Sequence, residues 1–157
     1  MVTIQKKSVR AGKFVNTEHV DSVIKNYKQE RWVHNSKRIG KEDSLSVWYS
    51  IEELEEFLAE AKANGGDGVK LYFGAYGKEH NDQPLYADRQ TIVLVATKEK
   101  ETDNGIVNKD IYINGETKNT VLAYNAGGLC PPFCQHDDFG GIGVTIVDKG
   151  EDGVVIV

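Results

Sequence analysis

Apolar residues recur at helical spacing in two stretches of the N-terminal half of the chain. In the first stretch, an apolar stripe with steps of three and four residues is formed by Val20, Val23, Ile24 and Tyr27. Such a stripe is typical of an amphipathic helix that packs one face on a core. Asn16 or Thr17 can cap the first turn of this helix. The stripe weakens beyond Tyr27, so we expect the helix to end or bend before Gly40.

The second stretch carries more complete helix signals. Ser50 precedes it and Glu53 follows three residues later, which is the sequence of a capping box. The predicted buried stripe of this helix consists of Leu54, Phe57, Leu58 and Ala61. Asn64-Gly65-Gly66 predicts its end, because glycine tolerates the left-handed conformation of a helix C-terminus. A short strand is expected at residues 45–49, where Leu45, Val47 and Tyr49 alternate with other residues.

After the second helix the apolar period changes from helical to two. "GVKLYFGAYG" predicts a strand, with Leu71 and Phe73 on one face and Tyr72 and Tyr76 on the other. The unbroken apolar run of "TIVLVATKEK" favours a central strand that is covered on both faces. Shorter strands are expected at "DIYIN", "TVLAYN", "GIGVTIV" and "GVVIV". We therefore predict one α+β domain over residues 1–157, with two N-terminal-half helices packed on a largely antiparallel sheet of about five to six strands.

Composition narrows the function classes. The chain has 157 residues and a formal net charge of −5, which argues against general nucleic-acid binding. No apolar run approaches the roughly 20 residues needed to cross a bilayer, and the first residues lack the apolar centre of a secretion signal. We therefore expect a cytoplasmic protein without membrane association. The two cysteines should then be reduced thiols or metal ligands rather than a structural disulfide.

The segment "VWYSIEELEEFLAEAKANGGDGVKLYFGAYG", followed by "TIVLVATK", resembles a group of small bacterial proteins, mainly from Bacteroidetes. In that group an aromatic-Ser-x-Glu-Glu helix start leads into a strand that ends in "YFGAY". The resemblance covers about the central third of the chain, and a "Gly-Gly-Leu-Cys-Pro-Pro-x-Cys" tail is loosely associated with it. It implies a bacterial, cytoplasmic protein and transfers no activity.

The loop "CPPFCQH" concentrates the most reactive side chains of the chain. Cys130, Cys134 and His136 can act as three zinc ligands, and the fourth ligand would be one of His80, His19, Asp137 and Asp138. An extended Pro-Pro segment rises about 3.1 Å per residue, which places Cys130 about 9 Å from Phe133. A disulfide requires Cα atoms closer than about 7 Å. The sulfurs can therefore meet only if the chain reverses at Phe133 or a prolyl bond is cis. Three alternatives are open for this loop: a zinc site, a reversible disulfide, and a stiff turn in which the cysteines have no chemical role.

Two further groups of residues are candidate binding sites. His80 and Arg89 lie in the polar loop between the two strongest strands, where binding residues concentrate in many proteins, although such loops are also common without a role. Tyr72, Gly74 and Tyr76 share one strand face, where the glycine leaves a shallow floor between two rings. The competing interpretation of that face is that a helix covers it.

These patterns lead to two hypotheses about function. The first is a non-enzymatic protein that associates with a protein partner or with itself through a sheet edge or loop surface, and that needs no cofactor. The second is a small zinc- or thiol-dependent enzyme, a hydrolase or redox protein, centred on Cys130, Cys134 and His136. The Walker pattern, the Gly-x-Ser-x-Gly elbow and the His-Glu-x-x-His pair are all missing from the sequence, which favours the first hypothesis.

Overall fold

The computed structural model describes residues 10–115 and 117–134, together with the backbone of two further strands at 146–148 and 154–156. Its helical segments are α1 Thr17–Tyr27, α2 Val33–Ile39 and α3 Ile51–Ala63. A π-helical turn, Lys28–Trp32, joins α1 to α2 without a break, so residues 17–39 form one long helix. None of the helices in these ranges is long and apolar enough to cross a membrane. The long helix and α3 confirm the two predicted helices, and the strands after them confirm the α+β class.

Both ends of the long helix follow the signals in the sequence. The side chain of Asn16 accepts a hydrogen bond from the backbone N–H of His19 at 2.9 Å, as an N-cap residue does. Gly40 ends the helix in the left-handed conformation with a φ of 73°. Between these ends the helix buries only Lys28 and Trp32, whose ammonium and ring lie 4.8 Å apart. The long helix is therefore held at its middle, and its N-terminal half is largely exposed.

Asp43 ties the segment after the long helix to both the helix and the sheet. Its backbone N–H donates to the Ser36 hydroxyl at 3.0 Å, and its backbone carbonyl accepts from the indole of Trp32 at 2.8 Å. Its carboxylate accepts the backbone N–H groups of Ser44 at 2.8 Å and Gln90 at 2.7 Å. The residue is only 4 % exposed. Because a charged acceptor strengthens hydrogen bonds, this buried carboxylate is a firm anchor.

The strands are short except for two. In chain order they are β1 Ser46–Trp48, β2 Gly68–Ala75, β3 Gln90–Thr102, β4 Gly105–Asp110, β5 Tyr112–Asn114, β6 Asn119–Val121, β7 Ala123–Tyr124, β8 Gly128–Cys130, β9 Ile146–Asp148 and β10 Val154–Ile156. The predicted strands correspond to β1, β2, β3, β5, β6, β7 and β10, and the end of the strand predicted at "GIGVTIV" overlaps β9. Residues 141–145 of that predicted strand lie outside the described residues. The sequence pattern did not indicate β4 and β8 as separate strands, because half of the β4 residues are polar and β8 is a glycine-containing segment of three residues.

All of these strands pair antiparallel, but they form several ladders rather than the single sheet that was expected. The largest sheet has the order β2-β3-β4, and β7 also pairs with β3. Separate two-stranded ladders are formed by β1 with β8, β5 with β6, and β9 with β10. Hydrogen bonds among Ala96, Ile111 and Leu122 connect the largest sheet to β5 and β6. These bonds join the β5–β6 ladder to the largest sheet at the point where β4 passes into β5.

The core lies between α3 and one face of the largest sheet. Phe57 and Ala61 of α3 pack with Leu94 and Ala96 of β3 and with Leu122. This confirms the inward positions of Phe57 and Ala61, whereas the predicted inward residue Leu58 is 45 % exposed. Leu58 is not among the residues that pack against this core. The opposite face of the sheet, which carries Tyr72, therefore has no contact with α3.

The start of α3 has the predicted capping box. Ser50 accepts the backbone N–H of Glu53 at 3.1 Å, and the Glu53 carboxylate accepts the backbone N–H of Ser50 at 2.7 Å. The hydroxyl of Tyr124 donates to the same carboxylate at 2.9 Å. The Ser50 backbone N–H, the Ser50 side chain and the Tyr124 hydroxyl together hold the pKa of Glu53 below its usual value.

We expect Glu53→Gln to destabilise the protein at neutral pH and not at acidic pH. Because the pKa of Glu53 is lower in the folded than in the unfolded chain, its stabilising effect is complete above the unfolded pKa of about 4.3. The effect is lost as the pH falls through the folded pKa. Denaturant unfolding at pH 7 and at about pH 3 measures this difference. Glu55→Gln, an exposed position in the same helix, should show no comparable pH-dependent difference.

We expect Asp43→Ala to lower the free energy of unfolding by about 2–6 kcal/mol, because two buried N–H groups lose their acceptor at about 1–3 kcal/mol each. Asp43→Asn keeps an acceptor oxygen and should cost less. The matched control is Glu42→Ala, since the Glu42 side chain is exposed. Urea denaturation measures all three. Equal losses for the alanine variants at positions 42 and 43 would contradict the anchoring role of Asp43.

Candidate functional site

The outer edge of β2 is a free strand edge within the described part of the chain. β2 pairs with β3 over its whole length, from Gly68 opposite Thr97 to Ala75 opposite Gln90. Its other edge has no partner strand among the described residues. Three large side chains in the middle of this strand are exposed, Leu71 by 60 %, Tyr72 by 43 % and Phe73 by 82 %. An exposed edge with apolar side chains is a template for a further strand.

An apolar groove runs beside this edge. It has a volume of about 390 Å³ and lies between the long helix, the β1 segment and the β2–β3 pair. Its apolar walls include Val23, Ile24, Leu54, Leu71 and Phe73. The groove exists because the exposed half of the long helix does not close onto Leu71 and Phe73. Cover of β2 by the long helix is thus incomplete on its apolar face. Helix cover of the face with Tyr72 and Tyr76, the competing interpretation, does not come from α3, which packs on the opposite face.

Tyr72 is held in place on the other face of β2. Its hydroxyl donates to the Asp110 carboxylate at 2.9 Å, and the Lys70 ammonium donates to the other oxygen of Asp110 at 2.8 Å. Lys70 lowers the pKa of Asp110, and Asp110 raises the pKa of Lys70. All three groups are partly exposed, so the ion pair contributes little to stability. Its effect is to fix the ring of Tyr72 at the edge of the sheet.

Tyr76 belongs to a separate polar network behind the end of β2. Its hydroxyl donates to the amide oxygen of Asn125 at 3.1 Å and accepts from the hydroxyl of Thr91 at 3.4 Å. The Asn125 amide nitrogen donates to Thr91 at 3.1 Å and to the carbonyl of Ile92 at 2.9 Å. These bonds satisfy the polar groups of Asn125 and hold the hydroxyl of Tyr76 against β3.

The structure brings His80 and the cysteine loop to the same side as Tyr76. The ring centroids of Tyr76 and His80 are 4.1 Å apart in a stacked arrangement, and the ring of Tyr86 stacks with that of Tyr76 at a centroid distance of 6.0 Å. Phe133 of the cysteine loop follows, 5.8 Å from Tyr86. The hydroxyl of Tyr86 also accepts the backbone N–H of Leu129 at 3.2 Å. This aromatic row stabilises the loops at one end of the sheet.

Arg89, a predicted binding residue, is used inside the fold. It is 7 % exposed, and its guanidinium donates to the backbone carbonyls of Leu85, at 2.8 Å, and Glu42. These bonds connect the polar loop to the segment that holds Asp43. A ligand would have to compete with both carbonyls for this side chain. Binding by Tyr72, Tyr76, His80 and Arg89 therefore remains a prediction. Tyr72 is exposed, Tyr76 and His80 are half-buried, and Arg89 is buried.

Cys130 and Cys134 are joined in a disulfide, with Cα atoms 4.8 Å apart. The expectation of reduced thiols therefore differs from the structure. The reason is that the chain turns within the loop and brings the Cα atoms inside the range that a disulfide requires. The peptide bonds before Pro131 and Pro132 are both cis. The extended geometry that was expected for Cys130–Phe133 from the sequence is therefore not present in the disulfide-bonded loop.

A zinc site at this loop stays a prediction for the reduced protein. Zinc binds cysteine as a thiolate, and neither sulfur of a disulfide is a thiolate. His136, Asp137 and Asp138 lie outside the described residues. Within residues 10–115 and 117–134, no group of three or more His, Cys, Asp and Glu side chains is placed to hold a metal ion.

A polar cleft beside the long helix was not foreseen from the sequence. It has a volume of about 910 Å³ and lies between the long helix, the end of β2 and the loop after it. Tyr27, Arg31, Asn35 and Arg38 line its helix side, and their steps of four, four and three residues place them on one face. This spacing was the only sequence signal for the cleft. In the sequence alone these side chains look like a solvated helix face, because Asp43 and Gln90, which complete the lining, are distant along the chain.

We expect replacement of Cys130 and Cys134 by serine to lower the free energy of unfolding by roughly 2 kcal/mol, the loop-entropy value for about five linked residues. The short sequence separation of four keeps the effect small. Denaturant unfolding with and without reductant measures it. Reductant should destabilise the wild-type protein and leave the double variant unchanged. Equal stability of the reduced and oxidised wild-type protein would contradict the structural role of this disulfide.

Similarity to known proteins adds no information about this site. No protein-family model matches the chain, no curated protein matches it significantly, and no solved structure does so either. The function must therefore be inferred from the geometry of the free β2 edge, the apolar groove, the aromatic row and the polar cleft.

Proposed function

We propose that this protein is a non-enzymatic association module that accepts a further strand at the free edge of β2, and that its partner is a second copy of the same chain. The observation that carries the proposal is the edge of β2, which has no partner strand in the described part of the chain and exposes Leu71 and Phe73. Strand addition satisfies the unpaired N–H and C=O groups of an edge, and side chains beside the edge provide specificity.

The sequence of β2 is suited to pairing with itself. In a symmetric antiparallel pair centred on Tyr72, each Leu71 faces Phe73 of the second copy, and the two Tyr72 rings face each other. Lys70 then faces Gly74 of the second copy, so the two ammonium groups do not oppose each other, as they would in a pair centred on Lys70. This register pairs residues 69–75 of the two copies and leaves only Gly68 of β2 without a partner in the strand.

The apolar groove supports the same arrangement. In this register Phe73 of the second copy lies next to Leu71, on the face where Leu71 borders the groove. The groove walls at Val23 and Ile24 belong to the exposed half of the long helix. An aromatic side chain that enters this space removes apolar surface of both copies from water.

The energies show which contacts decide the association. Two strands of this length share about eight backbone hydrogen bonds, each worth about 0.5–1.5 kcal/mol net. Their sum of about 4–12 kcal/mol is similar to the cost of about 4–15 kcal/mol for bringing two proteins together. Burial of Leu71 and Phe73, at about 1.5–3 kcal/mol for each side chain, therefore determines whether the dimer forms.

The cellular setting belongs to the same proposal. The resemblance of the central segment supports a bacterial, cytoplasmic protein, and the net charge of −5 supports partners other than nucleic acid. A stable disulfide is typical of oxidising compartments, so the oxidation state of Cys130 and Cys134 in the cell tests the cytoplasmic location. The zinc and thiol-nucleophile forms of the enzyme hypothesis have less support, because they need the cysteines in their reduced form. A thiol–disulfide redox role would instead use the disulfide as one of its two states.

We expect Phe73→Glu to weaken self-association at least about 100-fold, since the two-fold symmetry removes the side chain twice at about 1.5–3 kcal/mol each. The fold should persist, because Phe73 is 82 % exposed. Sedimentation velocity over a range of concentrations measures the dimer. Ile106→Glu is the matched control, since Ile106 is an exposed apolar residue on β4, the opposite edge strand of this sheet.

A cross-link tests the register separately. Tyr72→Cys places two thiols opposite each other and should yield a covalent dimer under mild oxidation, whereas Lys70→Cys should not, because its neighbour is Gly74 of the second copy. The wild-type chain is the control for exchange of the native cysteines. A wild-type protein that remains monomeric at high concentration, or a dimer weakened by Ile106→Glu and not by Phe73→Glu, would refute the proposed interface.

A further inference from the structure

The polar cleft beside the long helix has the dimensions and the lining of a small-molecule site. Its volume of about 910 Å³ lies within the usual range of about 300–1,000 Å³ for ligand pockets. The long helix forms one wall, and the segment 73–76 with Lys78 forms the other. The cleft is thus bounded by elements that the Asp43 hydrogen bonds hold together.

The floor of the cleft is polar and already ordered. Asp43 and Gln90 lie there, and the hydroxyl of Tyr27 donates to the side-chain carbonyl of Gln90. Burial, followed by the charge of Asp43, raises the pKa of Tyr27, so its phenol stays protonated at neutral pH. Fixed neutral groups of this kind can hydrogen-bond a ligand without a large ordering cost.

Three cationic side chains surround this floor. Arg31 and Arg38 project from the long helix and Lys78 from the loop that follows β2. In the described residues none of the three has a carboxylate within ion-pair distance. The only hydrogen bond of the Arg31 guanidinium there is to the carbonyl of the preceding residue, Glu30, at 3.2 Å. Unpaired cations around one cleft are notable in a chain whose net charge is −5.

The acidic groups of the cleft do not cancel this excess. Asp43 directs one carboxylate oxygen at two backbone N–H groups, which offset its charge. Asp88 is the other acid of the lining, and its φ of 64° places it in the left-handed region. Non-glycine residues in that region are uncommon and cluster at ligand sites. The formal balance of the lining is three cations against two acids, which favours an anion.

We propose that this cleft binds a small oxyanion ligand, held through its carboxylate or phosphate group by Arg31, Arg38 and Lys78. Guanidinium groups match the geometry of carboxylate and phosphate oxygens and form paired, charge-assisted hydrogen bonds with them. The neutral groups of Asn35 and Gln90 then bind the uncharged part of the ligand. The cleft shares Tyr27, Phe73 and Gln90 with the apolar groove, but the three cations that hold the oxyanion lie outside the β2 interface. A failure to bind an oxyanion would therefore not refute self-association.

The test uses inorganic phosphate and malonate as probes, at constant ionic strength, with the ¹⁵N-labelled full-length protein. We expect saturable shifts of the side-chain amide signals of Asn35 and Gln90 with one probe or both, and the stronger probe identifies the oxyanion class. Arg31→Gln and Arg38→Gln should each weaken binding about tenfold or more. Both arginines are exposed, and glutamine has a similar helix propensity, so the fold should be retained.

Lys37→Gln provides the matched control, because Lys37 is exposed on the same helix and does not line the cleft. It changes the net charge by the same amount. Binding that falls equally in Lys37→Gln and Arg38→Gln would show a general charge effect and overturn the proposal. The absence of saturable shifts at Asn35 and Gln90 up to millimolar concentrations of both probes would overturn it as well.

Discussion

The buried carboxylate of Asp43 is the interaction on which the arrangement of this protein depends. It joins the backbone of its own segment to the first residue of β3, while its main chain holds Ser36 and Trp32 of the long helix. A carboxylate that is 4 % exposed must be compensated by hydrogen bonds, because burying an unpaired charge costs far more than any packing gain near it. The segment, the helix and the sheet are therefore fixed together.

The position of this anchor explains the two open surfaces. It holds the long helix through its middle and C-terminal parts, and α1 has no buried residue. The N-terminal half of the helix can therefore leave an apolar groove over Leu71 and Phe73, while the C-terminal half encloses the polar cleft on the other side of Tyr27. A long helix packed along its whole apolar stripe would close both the apolar groove and the polar cleft. The exposure of β2 therefore follows from where the helix is anchored.

The sequence predicted the elements whose signals are local. The capping box at Ser50 and Glu53, the end of the long helix at Gly40 and the alternation in β2 depend on neighbouring residues, and the structure confirms them. Contacts between distant segments had no such signal. Asp43 and Gln90 are 47 residues apart, and Arg89 looked like a loop residue because its acceptor at Glu42 is equally distant. Tyr76 and His80 were candidates in two separate groups, and the sequence did not indicate that their rings stack. The partner of the Tyr76 hydroxyl, Asn125, was not foreseen either, since amide networks have no sequence period.

The two proposed surfaces share side chains, which links them energetically. Tyr27, Phe73 and Gln90 line both the apolar groove and the polar cleft. A second copy seated at β2 would cover Phe73 and restrict its rotamers, and an oxyanion in the cleft would order Gln90 and its bond to Tyr27. Dimerisation and oxyanion binding therefore each order side chains that line the other surface, and this changes the entropy cost of the second binding event. By thermodynamic linkage, the factor by which dimerisation changes oxyanion affinity equals the factor by which the bound oxyanion changes the affinity of each copy for the other.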